Sequence, residues 1–199
     1  MAMPAEKILP TKMPDIVSAV FESKRSKIRA YPQRWNRASE CGHPCERYLV
    51  LSRTNWQDKI LHGPELEFIF EGGRLIEDMA IRELQDAGFQ VIEQQRSFEW
   101  PALQLTGHLD CKIVSGDRAF PIEIKGLNHI DFEKINSIDD MTQSTKPWLR
   151  KYPAQIMMYL LNTGNEEIGG FYIKDKLTFR PKLITVTLDY AYTERILKK

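Results

Sequence analysis

Two stretches that alternate apolar and polar residues, "LTGHLDCKIV" (residues 105–114) and "AFPIEIKG" (119–126), are joined by the turn signal "SGDR". Alternation with period two predicts strands, and a short Gly/Asp turn between them predicts a hairpin. Strand side chains leave opposite faces in turn, so Glu123 and Lys125 share one face while Ile122 and Ile124 share the other. Read as one strand, the first stretch places His108, Asp110 and Lys112 on a face opposed by Leu109, Cys111 and Ile113. Pairing then sets Asp110 near Glu123, with Lys125 beside them. Strand interiors ordinarily favour Val, Ile or Thr. The charges therefore mark either a solvated face or half of an active site. Two carboxylates brought close in a partly buried place repel unless a cation lies between them. Such oxygen ligands suit Mg²⁺, which keeps several waters and takes one or two carboxylates beside a substrate phosphate. The lysine could then position or deprotonate an attacking water, or offset charge on phosphorus.

The remaining pattern is helical first and mixed later. Residues 1–14 read as a loose arm. A helix starts at the N-cap Asp15 and ends before Pro32. A second begins near Pro44 and reaches about Ser52. "PELEFIFEGGRLIEDMAIRELQDAG" is a long helix with Leu75, Ile76, Met79, Ile81 and Leu84 on its apolar side, stopped by Gly88. "FQVIEQQRSFEW" gives one or two strands. Residues 127–150 are polar and irregular, with room for short helical turns, and "YPAQIMMYLLN" is a helix starting near Pro153. "GGFYIKDK" and "PKLITVTLDY" form a second strand pair, and "YTERILKK" begins a helix just as the sequence stops. This order points to one α/β or α+β domain over residues 1–199.

Apolar runs such as "IMMYLL" are too short to span a bilayer, and no apolar leader region opens the chain. A cytoplasmic location with no membrane partner is expected. Three cysteines, Cys41, Cys45 and Cys111, argue against a disulfide-stapled scaffold. Net charge is +1, yet residues 24–37 carry six Lys/Arg and no acid, with Tyr31 and Trp35 interleaved. "KPWLRK" repeats the theme with Lys146, Trp148, Arg150 and Lys151. Basic and aromatic side chains together suit nucleic acid, and solvated helix faces are the bland alternative. For Lys146, Trp148, Arg150 and Lys151 both readings stay open, as they do for His108.

Two more features complete an ordered set. Glu77 follows "GRLI" on the long helix, and Gln155 and Tyr159 stand at i and i+4 on one helix face. The succession "GRLIE", "GHLD", "EIK" and "QIMMY" resembles the PD-(D/E)XK nuclease superfamily. It is most similar to the RecB-like exonuclease branch, which includes CRISPR-associated and phage exonucleases. The resemblance spans roughly residues 39–190. It implies an α/β restriction-endonuclease-like core, a central mixed β-sheet flanked by helices. It further implies that Asp110, Glu123 and the backbone carbonyl of Ile124 ligate Mg²⁺ or Mn²⁺, and that Lys125 is the catalytic lysine. Glu77 stands where many members have histidine and would be an additional or water-mediated ligand. Gln155 and Tyr159 would orient the site or contact the nucleic-acid backbone. The implied activity is metal-dependent hydrolysis of DNA, most readily as an exonuclease in recombination, repair, or phage or CRISPR DNA processing. Single-stranded DNA or DNA with free ends would be the substrate. An endonuclease of the same superfamily and a non-catalytic DNA-binding module are the alternatives.

"SECGHPCERYL" is similar to the segment that supplies the first cluster ligand in iron–sulfur members of the branch, with Cys45 at that place. Those members take three more cysteines from a C-terminal segment. Here none follows Cys111, so no iron–sulfur cluster is expected in this chain. A longer natural protein, left open by the helix at the C-terminus, could supply them. Cys41-x-His43-x-Cys45 lacks the spacing and fourth ligand of common zinc modules.

Overall fold

The computed structural model describes residues 13–164 and 167–199, so most of the arm expected at 1–14 lies outside the described residues. Helix α1 (Ile16–Arg25) starts at Asp15, whose carboxylate accepts the Ser18 N–H at 3.0 Å. It is a helix as expected, but it buries none of its residues. The short strand β1 (Asn36–Arg37) leads through one 3₁₀ turn to α2 (Glu46–Thr54). Helix α3 (Pro64–Asp86) opens on a proline, with Glu65 and Glu67 in its first turn. Both suit the amide-rich N-terminus of a helix. Gly88, at φ +88°, ends the turn that follows it, as the sequence suggests.

Strands β2 (Gln90–Ile92), β3 (Arg96–Trp100), β4 (Leu105–Leu109), β5 (Cys111–Ser115) and β6 (Arg118–Leu127) come next. Helices α4 (His129–Lys134), α5 (Ile138–Thr142) and α6 (Pro147–Thr163) precede β7 (Ile168–Asp175), β8 (Pro181–Thr187) and α7 (Tyr190–Leu197). The central sheet has the order β2-β5-β6-β7-β8 and is mixed. Only β6 and β7 run parallel within it. A parallel pair needs a long crossover, and α4 to α6 provide it. A smaller sheet, β1-β4-β3, stands beside it.

The central sheet is covered on both faces. Ile122 and Ile124 pack with Ile76, Ala80, Ile81 and Cys111 on the α3 side. Leu127, Phe171 and Ile173 pack with Ile156, Met158, Tyr159 and Leu160 of α6 on the other. No described helix is long and apolar enough to cross a membrane.

Three expectations are corrected. "LTGHLDCKIV" is two strands in two sheets, broken at Asp110. The break turns the chain over, so Leu109 joins the α6-side core and Cys111 the α3-side core, instead of sharing a face. Leu75 is exposed, because the sheet-facing stripe of α3 runs through Ile76, Ala80, Ile81 and Leu84. Helix α6 starts at Pro147, not Pro153, and Pro153 lies inside it. Proline suits the first turn, where its missing N–H has no partner to lose.

Candidate active site

The site forms where β6 runs beneath α6 and past the broken β4–β5 corner. Glu123 is wholly buried, at 0% exposure. Its Oε1 accepts a hydrogen bond from Lys125 Nζ, while its Oε2 is buried without a partner among the described residues. Lys125 Nζ also sits 4.9 Å from the centre of the Tyr152 ring, a cation–aromatic contact. Glu123 is therefore not on a solvated strand face, and Lys125 is only partly exposed. β5 begins at Cys111, paired with Ile122, and just before it Asp110 turns its Oδ2 to accept the Ile124 N–H at 2.7 Å. This bond fixes Asp110 beside the Glu123–Lys125 segment.

Glu77 reaches the same place from α3 through an intermediary. Gln95 Nε2 donates to Glu77 Oε1 and, at 3.3 Å, to Asp110 Oδ1. Its own N–H donates to the Asp110 carbonyl at 3.0 Å. Gln95 lies between β2 and β3 at φ +50°, in the left-handed region. On the α6 side, Gln155 Nε2 donates to the Tyr159 hydroxyl at 2.8 Å, and that hydroxyl donates to the His108 carbonyl at 2.6 Å. Tyr159 thus anchors β4 two residues before Asp110. Its bonds fit the orienting role implied for it and Gln155.

Burial, then the neighbouring Asp110 charge, pushes the Glu123 carboxyl up to about 8, against the opposing pull of Lys125. Burial raises Asp110 as well, and burial with the Asp110 charge raises Glu77. Burial works against the Lys125 charge, but Glu123 and Asp110 outweigh it and hold the ammonium above the usual lysine range. The site therefore has one fixed cation and three carboxylates that are reluctant to ionise together.

Among the described residues no group of three or more His, Cys, Asp or Glu side chains forms a ready-made metal cluster. The donor set nonetheless fits a hard cation that keeps most of its waters. It has two carboxylates, Asp110 and Glu123, and the carbonyl of Ile124, the residue after Glu123. A buried carboxylate oxygen without a partner is costly, and the Oε2 atom of Glu123 is such a group. A cation would supply its partner.

These residues line a cleft of about 570 Å³, together with His108 and the segment from Pro32 to Ser39. The other expected nucleic-acid contacts lie elsewhere. Lys146 is held by Asp131, at 2.6 Å to Oδ2, and Trp148 is exposed beside it. Arg150 lines a separate cavity with Arg195 and Lys199, and the Lys151 backbone packs against Gly42. None of these four lines the cleft. Its basic and aromatic wall is Arg34, Trp35 and Arg37, from the 24–37 segment whose composition stood out in the sequence. Gln95 carried no sequence signal, since a glutamine in a polar turn is unremarkable until its amide is seen between two carboxylates. Cys41 is buried with its thiol donating to the Arg37 carbonyl at 3.3 Å, Cys45 is exposed, and Cys111 lies in the α3-side core.

No family model matches the chain, and no curated protein matches it in sequence. Solved structures do. An alkaline exonuclease, LHK-Exo, from Laribacter hongkongensis superposes with a TM-score of 0.57 at 18% identity, covering 91% of this chain and 87% of that one. The same exonuclease in complex with dAMP gives 0.55 at 17% identity, with 91% and 87% covered. SSO0001 gives 0.50 at 14% identity, covering 92% and 84%. The likeness establishes the fold: the mixed α/β core implied by the ordered motifs, shared with a nuclease across nearly the whole chain.

Proposed function

We propose that the protein is a metal-dependent nuclease of the PD-(D/E)XK type that hydrolyses DNA phosphodiester bonds, acting as an exonuclease. One observation carries the reading: Asp110, hydrogen-bonded to the Ile124 amide, is set beside a buried Glu123 that has one unpartnered oxygen and Lys125 on the other. The fold shared with an exonuclease, one structure of which is a complex with dAMP, supports it.

Asp110, Glu123 and the Ile124 carbonyl would hold Mg²⁺ or Mn²⁺. Such a cation lowers the pKa of water and offsets charge on a phosphate. The chain's own groups do the rest. Lys125, charged across the neutral range, is a poor proton acceptor, so of its two possible roles charge stabilisation at the phosphate is favoured. Gln95 ties Glu77 to Asp110, which keeps a third carboxylate at the cleft to orient water. Tyr159 and Gln155 hold the β4 end rigid, so that Asp110 is placed before substrate arrives. Arg34 and Arg37 are available for flanking phosphates. In the reaction a water oxygen adds to phosphorus, one ester P–O bond breaks, and the departing oxygen takes up a proton.

The test is DNA degradation with Mg²⁺ or Mn²⁺ by the wild type, Asp110→Ala and Lys125→Ala. Loss of degradation in both variants is expected. A wild type that binds DNA yet is inert with every divalent metal would leave only a binding module. Degradation of linear but not circular DNA is expected of an exonuclease, and cutting of circles would show an endonuclease.

A further inference from the structure

A second cleft, of about 790 Å³, opens beside the first. Gln33 and Arg37 line both, so the two cavities share a wall. The second cleft is basic and aromatic together. Lys27, Arg29, Arg37 and Lys59 line it, and among the described residues none has a carboxylate within ion-pair distance. Its two acids are already engaged. Glu67 lies 3.3 Å from His62, and Glu40 accepts from Gln33 at 3.3 Å and Tyr48 at 3.5 Å. Aromatic rings are open to solvent: Tyr31 is 55% exposed and Phe70 43%, with Trp56 half-buried near them. The Arg29 guanidinium lies 5.0 Å over the Tyr31 ring and its Nε donates to the Tyr31 hydroxyl at 2.8 Å. A cation and a ring are thus presented as one unit.

Resting on the nuclease reading, we infer that this cleft binds single-stranded DNA and leads it past Arg37 to Asp110 and Glu123. Unpaired cations grip phosphates whatever the strand state. Exposed rings stack only on bases that are themselves unstacked, which a single strand offers and a duplex does not. Four uncompensated cations on the wall disfavour an apolar peptide as occupant.

The experiment measures binding of fluorescein-labelled oligothymidylate, and of a hairpin duplex of equal length, in EDTA so that nothing is cut. Tyr31→Ala and Phe70→Ala remove exposed rings, and melting curves check that each variant is folded. Each is expected to weaken single-strand binding about fivefold or more, with little change for the duplex. Lys59→Gln is expected to reduce the slope of log affinity against log salt by about 0.7. Ring variants that bind oligothymidylate like the wild type, or that weaken both ligands equally, would overturn the inference, as would an unchanged salt slope. The two proposals fail separately. A wild type that binds oligothymidylate through these rings but cuts no DNA refutes the nuclease and keeps the cleft. Ring variants that bind and cut like the wild type do the reverse.

Discussion

Replacing Glu123 by glutamine should stabilise the metal-free protein at high pH while disabling the metal site. Glu123 is wholly buried, and its carboxyl is raised from 4.5 to about 8, first by burial and then by Asp110. A raised carboxyl means that the folded chain keeps a proton which the unfolded chain releases. Its contribution is fully present below the unfolded value and is lost as pH rises, completely so above about 8. Converted at about 1.36 kcal/mol per pH unit, that loss approaches 5 kcal/mol as an upper limit. Lys125 stays charged throughout this window and adds no slope of its own. Glutamine has the shape of the protonated acid and no such dependence. In EDTA, wild type and Glu123→Gln should therefore unfold alike near pH 5 and diverge toward pH 9. A difference of that size corresponds to roughly 10–20 °C in melting temperature, the variant being the more stable. Mn²⁺ at a hundred times its Kd should return about 2.7 kcal/mol to the wild type at pH 9 and nothing comparable to the variant. Urea unfolding at pH 5, 7 and 9 reads both effects. Parallel stability curves for the two proteins would refute the reasoning, because a buried, proton-competing carboxylate must separate them.

Tyr159→Phe removes the hydroxyl that links Gln155 to the His108 carbonyl. The buried Gln155 amide and the partly buried His108 carbonyl lose their partner, so a cost of about 1–3 kcal/mol is expected in unfolding experiments, together with weaker Mn²⁺ binding by calorimetry. An unchanged melt would show that the bond does not restrain β4. Gly42→Ala would place a methyl 2.8 Å from the Lys151 Cα and 3.0 Å from its carbonyl oxygen, atoms of the α6 backbone that cannot rotate away. It should lower stability by about 1–3 kcal/mol in thermal melts, and a neutral result would mean that this close approach is not fixed.

The hairpin was legible because alternation and turn residues agree over residues 111–126. Face assignment on β6 held: the isoleucines meet α3 while Glu123 and Lys125 lie on the α6 side. The break at Asp110 was not legible. Alternation continues through it in sequence, and the change of sheet depends on Leu109 and Cys111 meeting different helices. Lys112 was read on a charged face with Asp110. It is instead buried, with Glu93 3.3 Å away, because its environment is set by β2 and the turn after it. The start of α6 was ambiguous locally, since Pro147 and Pro153 each suit a first helical turn and only packing of Leu149 into the core decides. Gln95 and the Arg34–Arg37 wall illustrate the same limit. Their roles arise from chain segments far apart in sequence that tertiary packing brings to Asp110 and Glu123.

The proposed nuclease needs a divalent metal between Asp110 and Glu123. Anomalous scattering from a crystal soaked in Mn²⁺ tests it most directly. The expected result is a single strong peak within coordination distance of an Asp110 oxygen, Glu123 Oε2 and the Ile124 carbonyl, absent in Asp110→Asn. No peak at saturating Mn²⁺ in the wild type, or a peak held by other residues, would contradict it.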